Sequence, residues 1–193
     1  MSRIPELAAR LAQRPLAPIE DFDRPRAAVA VVLAPDPDSV LLIRRADREG
    51  DRWSGHLAFP GGRWTPGDEG LVDTARRETR EEVGLDLPAA SLIGTLDDLA
   101  PRTSVLPPIL VRPFVFHHPT RDPPLLNHEV AEAWWLPLDV LLRPGAFGPV
   151  EFARHGTLVR TMGYNLRQGI LWGMSERILT PLLDMLSAGQ LQS

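Results

Sequence analysis

Apolar and polar positions along the chain follow two rhythms. Ile4, Leu7, Ala8 and Leu11 recur at helical spacing and predict a short amphipathic helix within Ile4–Leu16. Pro15, Pro18 and Pro25 then bracket an irregular connection. Ala27–Leu33 (AAVAVVL) is short, β-rich and nearly all apolar, which predicts a buried strand; Val40–Arg44 predicts its hairpin partner across the turn at Pro35–Asp38. From Leu71 the rhythm becomes helical again, with Leu71, Val72, Ala75 and Val83 on one stripe and Thr79 beside them. Asp68 is a candidate N-cap for this helix, and Gly84 stands where a helix C-terminus favours glycine.

Further strands are predicted at Ser91–Leu99 and Ile109–Phe116, the second broken by Arg112 and Pro113, with a loop or edge at APRTSVLPP between them. Asn127–Pro137 predicts a strand whose Trp134 and Trp135 face opposite ways, followed by a helical turn or two at Leu138–Leu142. Val150–Phe152 and Thr157–Met162 predict two short strands around His155-Gly156. Ile178, Leu179, Leu182, Leu183 and Leu186 mark an amphipathic closing helix over Ser175–Leu186.

Composition narrows the class. A chain of 193 residues with 44% hydrophobic and 24% charged residues has room for one real core. Residues 1–25 are expected to form a helix and connection packed on a domain spanning 26–193. The absence of cysteine removes disulfides, thiolate metal sites and thiol catalysis. A net charge of -4 argues against a nucleic-acid partner. No apolar run reaches membrane-span length, and no signal-peptide core opens the chain, so neither membrane nor export is expected and cytoplasm is the default location. All 21 basic residues are arginine, a usage that genome base composition explains without any binding role.

The chemistry concentrates in Phe59–Leu85. Glu78, Glu81 and Glu82 fall within an arc of roughly 100° on an ideal helical wheel. Like charges at this spacing repel unless cations lie among them. A solvated helix face is the plain explanation. Against it stands Gly61-Gly62 just upstream, where the backbone can approach a ligand closely. Magnesium is commonly held by one or two carboxylates together with waters and substrate phosphates. His117 and His118 are adjacent, hence on opposite faces of a strand, and have no partner at ligand spacing.

The run RETREEVGL, Arg77 to Leu85, resembles the core of the Nudix box, G-x5-E-x7-R-E-U-x-E-E-x-G-U. Seven residues separate Glu69 from Arg77, but six separate it from Gly62, so Asp68 is an alternative for its place; Thr79 replaces an aliphatic residue. Leu41, Leu42, Arg45, Ala46, Gly55 and Phe59-Pro60-Gly61-Gly62 resemble the outline carried by the coenzyme A pyrophosphatase branch, with Ile43 in place of its threonine and Arg52 at a shifted offset. The ILWGMSERIL ending is similar to that branch as well.

This resemblance implies an α/β fold, the Nudix α/β/α sandwich with a mixed sheet between helices. It implies metal-dependent hydrolysis of a small-molecule nucleoside diphosphate derivative. Glu78, Glu81 and Glu82 would hold Mg²⁺ or Mn²⁺, and Glu81 or Glu129 would be the general base. Arg77 would orient carboxylates by pairing with them. Gly61 and Gly62 would keep the loop clear. Coenzyme A or acyl-coenzyme A is the favoured substrate, with Arg45 and Arg52 as cations for its 3′-phosphate. ADP-ribose, a nucleotide sugar or a noncanonical nucleoside triphosphate is the alternative. A non-catalytic binding module is a third reading, and a homodimer is left open.

Overall fold

The computed structural model describes residues 2–21, 23–51, 53–101, 108–154 and 156–187. The first helix, α1 (Ile4–Gln13), ends earlier than its pattern suggests, because the residue before Pro15 is pushed to extended backbone: Arg14 has ψ 126°. Its entry is fixed by the buried carboxylate of Asp38, which accepts from Ser2 Oγ at 2.6 Å and from the Arg3 backbone N–H at 2.7 Å.

The main sheet contains β1 (Arg26–Ala34), β2 (Ser39–Arg45), β3 (Leu57–Ala58), β4 (Gly61–Arg63), β5 (Leu92–Thr95), β6 (Leu110–His117) and β7 (Val130–Pro137). Its order is β3-β2-β1-β6-β5, with β4 added to β1 and β7 to β2. Only β1 and β6 pair in parallel, so the sheet is mixed. Alternation along β1 shows why it reads as continuously apolar. Ala28, Ala30 and Val32 pack toward α2 (Leu71–Val83), while Val31 and Leu33 pack toward α1 and α4 (Met174–Ser187). Both faces are covered, as in an α/β/α sandwich. Trp134 and Trp135 divide between the same two cores.

Several elements differ from the sequence reading. Gly61-Gly62 are a short strand on β1, with Gly61 opposite Val29 and Gly62 opposite Ala28, and the loop begins after Arg63. The strand expected at Ser91–Leu99 is a 3₁₀ turn at Ala89–Ser91, then β5, and Leu99 returns only as an isolated bridge to Val111. Pro113 does not break β6, because its carbonyl still accepts the Leu96 N–H at 3.0 Å and the parallel register with β1 continues through it. Most of APRTSVLPP, and His155 of the expected turn, lie outside the described residues.

After β7 and a single helical turn, α3 (Leu138–Leu141), the two short strands predicted become a three-stranded sheet: β8 (Phe147–Arg154), β9 (Thr157–Leu166) and β10 (Gly169–Trp172). Arg44 ties it to the main sheet by donating to the carbonyls of Gln168 and, at 3.4 Å, Gly55. No helix among the described residues is long and apolar enough to cross a membrane.

Candidate active site

Helix α2 brings the acidic residues together. Its N-cap is Gly70, with no side-chain cap, so the expectation for Asp68 is corrected. The Asp68 carboxylate turns inward and accepts from Thr74 Oγ1 at 2.9 Å, the Thr65 N–H at 3.1 Å, and Arg77 Nε and Nη2 at 2.8 and 3.0 Å. The Arg77 hydrogen bonds, outweighing burial, hold Asp68 well below the usual carboxylate range, and Asp68 in turn raises Arg77. Asp68, and not the exposed Glu69, is thus the acidic partner of Arg77. Gly84 ends the helix in the left-handed region at φ 71°, as its position predicts.

Arg77 also donates through Nη1 to Glu78 at 2.8 Å and to Glu81 at 3.2 Å, the pairing expected of it. Glu82 is different. Its side chain is 2% exposed, and its Oε2 accepts the Gly61 N–H at 2.9 Å. Burial, reinforced by Glu78 and Glu129 and opposed by Gly61 and Arg45, pushes Glu82 up to about 7. Burial also raises Glu78, against the pull of Arg77. A Cβ on Gly62 would stand 2.3 Å from Glu78 Oε1, so glycine is required for that carboxylate to lie against β4.

These groups open into one cleft of about 420 Å³. Of the residues singled out from the sequence, Glu78, Glu82, Glu129, Arg45, Gly61 and Gly62 line it. Glu81 is not part of the lining; its side chain is half exposed and turned to Arg77. Arg52 lies outside the described residues. Arg45 Nη2 binds Asp51 at 3.0 Å, while its Nε is buried without a hydrogen-bond partner. Glu129 receives Arg48 Nη2 at 3.0 Å. Glu132 pairs with Arg44 at 3.6 Å and stays outside the lining. His118 is buried with Nδ1 2.7 Å from the Thr120 carbonyl oxygen, away from the cleft.

Sequence reasoning missed the opposite wall. Trp172 lines the cleft between His56 (5.0 Å between ring centroids) and Phe152 (5.1 Å), with the Arg154 guanidinium carbon over its ring, 5.3 Å from its centre. The WGMSE run was the available signal, since it brings Trp172, Gly173, Met174 and Ser175 to this wall.

The donor set suits a hard cation. Glu78 and Glu82 are two carboxylates on one helix face, both raised chiefly by burial. Among the described residues no cage of three or more His, Asp or Glu side chains is preformed. Magnesium needs none, since waters and substrate phosphates fill the remaining positions.

A model of the NUDIX domain matches residues 24–155. The chain belongs to the Nudix family. With the family comes its class of reaction, hydrolysis of a nucleoside-diphosphate-linked substrate, and its general use of divalent metal ions. The mitochondrial coenzyme A diphosphatase NUDT8 of Homo sapiens is 34% identical over 181 residues, 88% of this chain and 74% of that protein. The Nudix hydrolase NudL of Yersinia pestis is 32% identical over 160 residues, 82% of this chain and 77% of that one. An uncharacterised protein of Schizosaccharomyces pombe is 40% identical over 130 residues, which span 65% of this chain but only 39% of the yeast protein. Among solved structures, a MutT/nudix family protein from Enterococcus faecalis has a TM-score of 0.61 at 18% identity, covering 97% of this chain and 69% of its own. That likeness shows the Nudix fold.

Proposed function

We propose that this Nudix enzyme hydrolyses coenzyme A, or an acyl-coenzyme A, to 3′,5′-ADP and (acyl-)phosphopantetheine. The observation that carries this choice is the similarity to a coenzyme A diphosphatase along 88% of the chain. The FPGG outline and the WGMSE ending support it, because both contribute residues to the same cleft.

Glu78 and Glu82 would hold Mg²⁺ or Mn²⁺; Glu81, paired with Arg77 outside the cleft, would join them only by leaving that pair. A cation bound there would offset the charge of the diphosphate and lower the pKa of water. Asp68 and Arg77 keep Glu78 in place, and the Gly61 N–H does the same for Glu82. Gly62 leaves room for the Glu78 carboxylate. Glu129 lines the cleft where Glu81 does not, which favours Glu129 as the base that takes the proton from the attacking water. Arg45 supplies positive charge to a substrate phosphate, where a guanidinium fork is well suited.

The test is a panel of coenzyme A, ADP-ribose, a nucleotide sugar and nucleoside triphosphates with Mg²⁺ and with Mn²⁺, products identified by mass. Release of 3′,5′-ADP from coenzyme A at the highest kcat/KM is expected. A clear preference for ADP-ribose would remove the coenzyme A assignment and leave a Nudix hydrolase of another substrate. No turnover of any compound would favour a binding module.

A further inference from the structure

The cleft is chemically divided. Glu78, Glu82 and Glu129 make one part acidic, and Arg45 is already committed beside them: it binds Asp51 at 3.0 Å and acts electrostatically on Glu82. The other part is built by Trp53, His56, Trp172 and Arg154. Arg154 closes β8, in the small sheet that follows the core of the fold. Among the described residues no carboxylate lies within ion-pair distance of it; Asp51 attracts it only from farther away.

The packing of Arg154 says how it can act. Its guanidinium carbon lies 5.3 Å from the centre of the Trp172 ring, and that indole is itself held between His56 and Phe152. A guanidinium held over a ring by its charge keeps the N–H donors that point away from the ring for another partner. Partial burial pushes its pKa below the ordinary arginine value, as expected of a desolvated cation lacking a close counter-ion. A fixed, unpaired planar fork in a substrate cleft is suited to a phosphate monoester, which it can bind through two parallel hydrogen bonds.

We propose that Arg154, oriented by Trp172, binds a terminal phosphate of the substrate separate from the diphosphate that is cleaved. This assignment rests on the coenzyme A reading and deepens it: the phosphate is the 3′-phosphate of the adenosine ribose, and Arg154 is its specificity-determining contact. Arg45 then serves the acidic part of the cleft.

The experiment measures binding without turnover. Titration calorimetry compares 3′,5′-ADP with 5′-AMP on the parent chain, Arg154→Gln and Arg154→Lys, with circular dichroism and thermal melting as checks on folding. One charge-assisted phosphate contact predicts that the parent binds 3′,5′-ADP about ten- to a hundredfold more tightly than 5′-AMP. Arg154→Gln should bring that ratio close to one, and Arg154→Lys should restore part of it, because lysine keeps the charge and loses the fork. The ratio of kcat/KM for coenzyme A over 3′-dephospho-coenzyme A should collapse in parallel. A ratio unchanged in a folded Arg154→Gln chain overturns the assignment while coenzyme A turnover by the parent leaves the substrate reading standing. Equal affinity of the parent for both nucleotides also overturns it; the substrate reading falls with it only if coenzyme A is not the preferred substrate.

Discussion

Replacing Gly62 with alanine adds one methyl group at the most crowded point of the acidic site. The new Cβ would stand 2.3 Å from Glu78 Oε1 and 2.4 Å from its Cδ, whereas ordinary contact begins at 3.4 Å. The β4 backbone gives way less easily, being paired with Ala28 of β1, so the flexible carboxylate must withdraw by about 1 Å. Displacement of a reacting or positioning group on this scale costs roughly a hundredfold in rate, or about 2.7 kcal/mol. Nothing in the Gly62 backbone forbids alanine, since its φ is not in the left-handed region. The fold should therefore survive.

The assay pairs kcat/KM at saturating Mg²⁺ with thermal melting, on Gly62→Ala and two controls. Gly67→Ala has open space around its Cβ and should match the parent in both. Gly61→Ala should lose stability, because its Cβ would meet main-chain atoms, 2.3 Å from the Ala28 carbonyl oxygen and 2.6 Å from Val29 Cα. A folded Gly62→Ala chain with parental kcat/KM would refute the placement of Glu78 at the working site.

Two further substitutions separate the supporting roles. Asp68→Asn keeps the shape and removes the charge that Arg77 grips; because Arg77 keeps Glu78 and Glu81, the loss is that of charge-assisted hydrogen bonds, about 1.5–3 kcal/mol, read as a lower urea midpoint with unchanged slope. A loss under 1 kcal/mol would mean that Asp68 and Arg77 contribute little to holding α2 on its loop. Glu129→Gln should reduce kcat by about 10²–10⁴-fold, with Glu81→Gln affected less; the reverse order would move the base to Glu81.

The parts legible in the sequence were those fixed by local geometry. Spacing along a helix sets angles, so the common face of Glu78 and Glu82 and the cap at Gly84 followed from residue order. Glu81 lies on the same arc, yet its carboxylate follows Arg77 out of the cleft, because a helical wheel gives direction and not rotamer. Asp68 and Glu69 are neighbours in sequence, and only the fold of the loop decides which one reaches Arg77. Thr79 could replace an aliphatic residue because, fully buried, its hydroxyl donates to the Ala75 carbonyl at 2.7 Å. The wall made by Arg154 and Trp172 was not legible. It depends on a β8–β10 sheet whose alternating residues look like surface strands until they are docked against His56.

Glu82 exposes a tension between folding and catalysis that can be measured. Its carboxylate is almost fully buried and, among the described residues, is met by no arginine, only by the Gly61 N–H. A carboxyl raised from its ordinary value of 4.5 to about 7 opposes folding as pH climbs through that interval, because the unfolded chain ionises first. The sign is therefore destabilising: little effect at pH 4, and about 3 kcal/mol against the folded state once pH is well above 7. Glutamine retains the oxygen that accepts from Gly61 and carries no charge. Without divalent metal, Glu82→Gln should thus be more stable than the parent at pH 8 and nearly equal to it at pH 4. Adding Mg²⁺ should raise the parent's melting temperature at pH 8 and leave that of the variant almost unmoved, while the variant's turnover falls on the order of a thousandfold. Chemical denaturation at the two pH values, with and without Mg²⁺, measures each quantity. A Glu82→Gln chain that is less stable at pH 8 without metal would show that Glu82 is compensated in the fold and holds no charge in reserve for a cation.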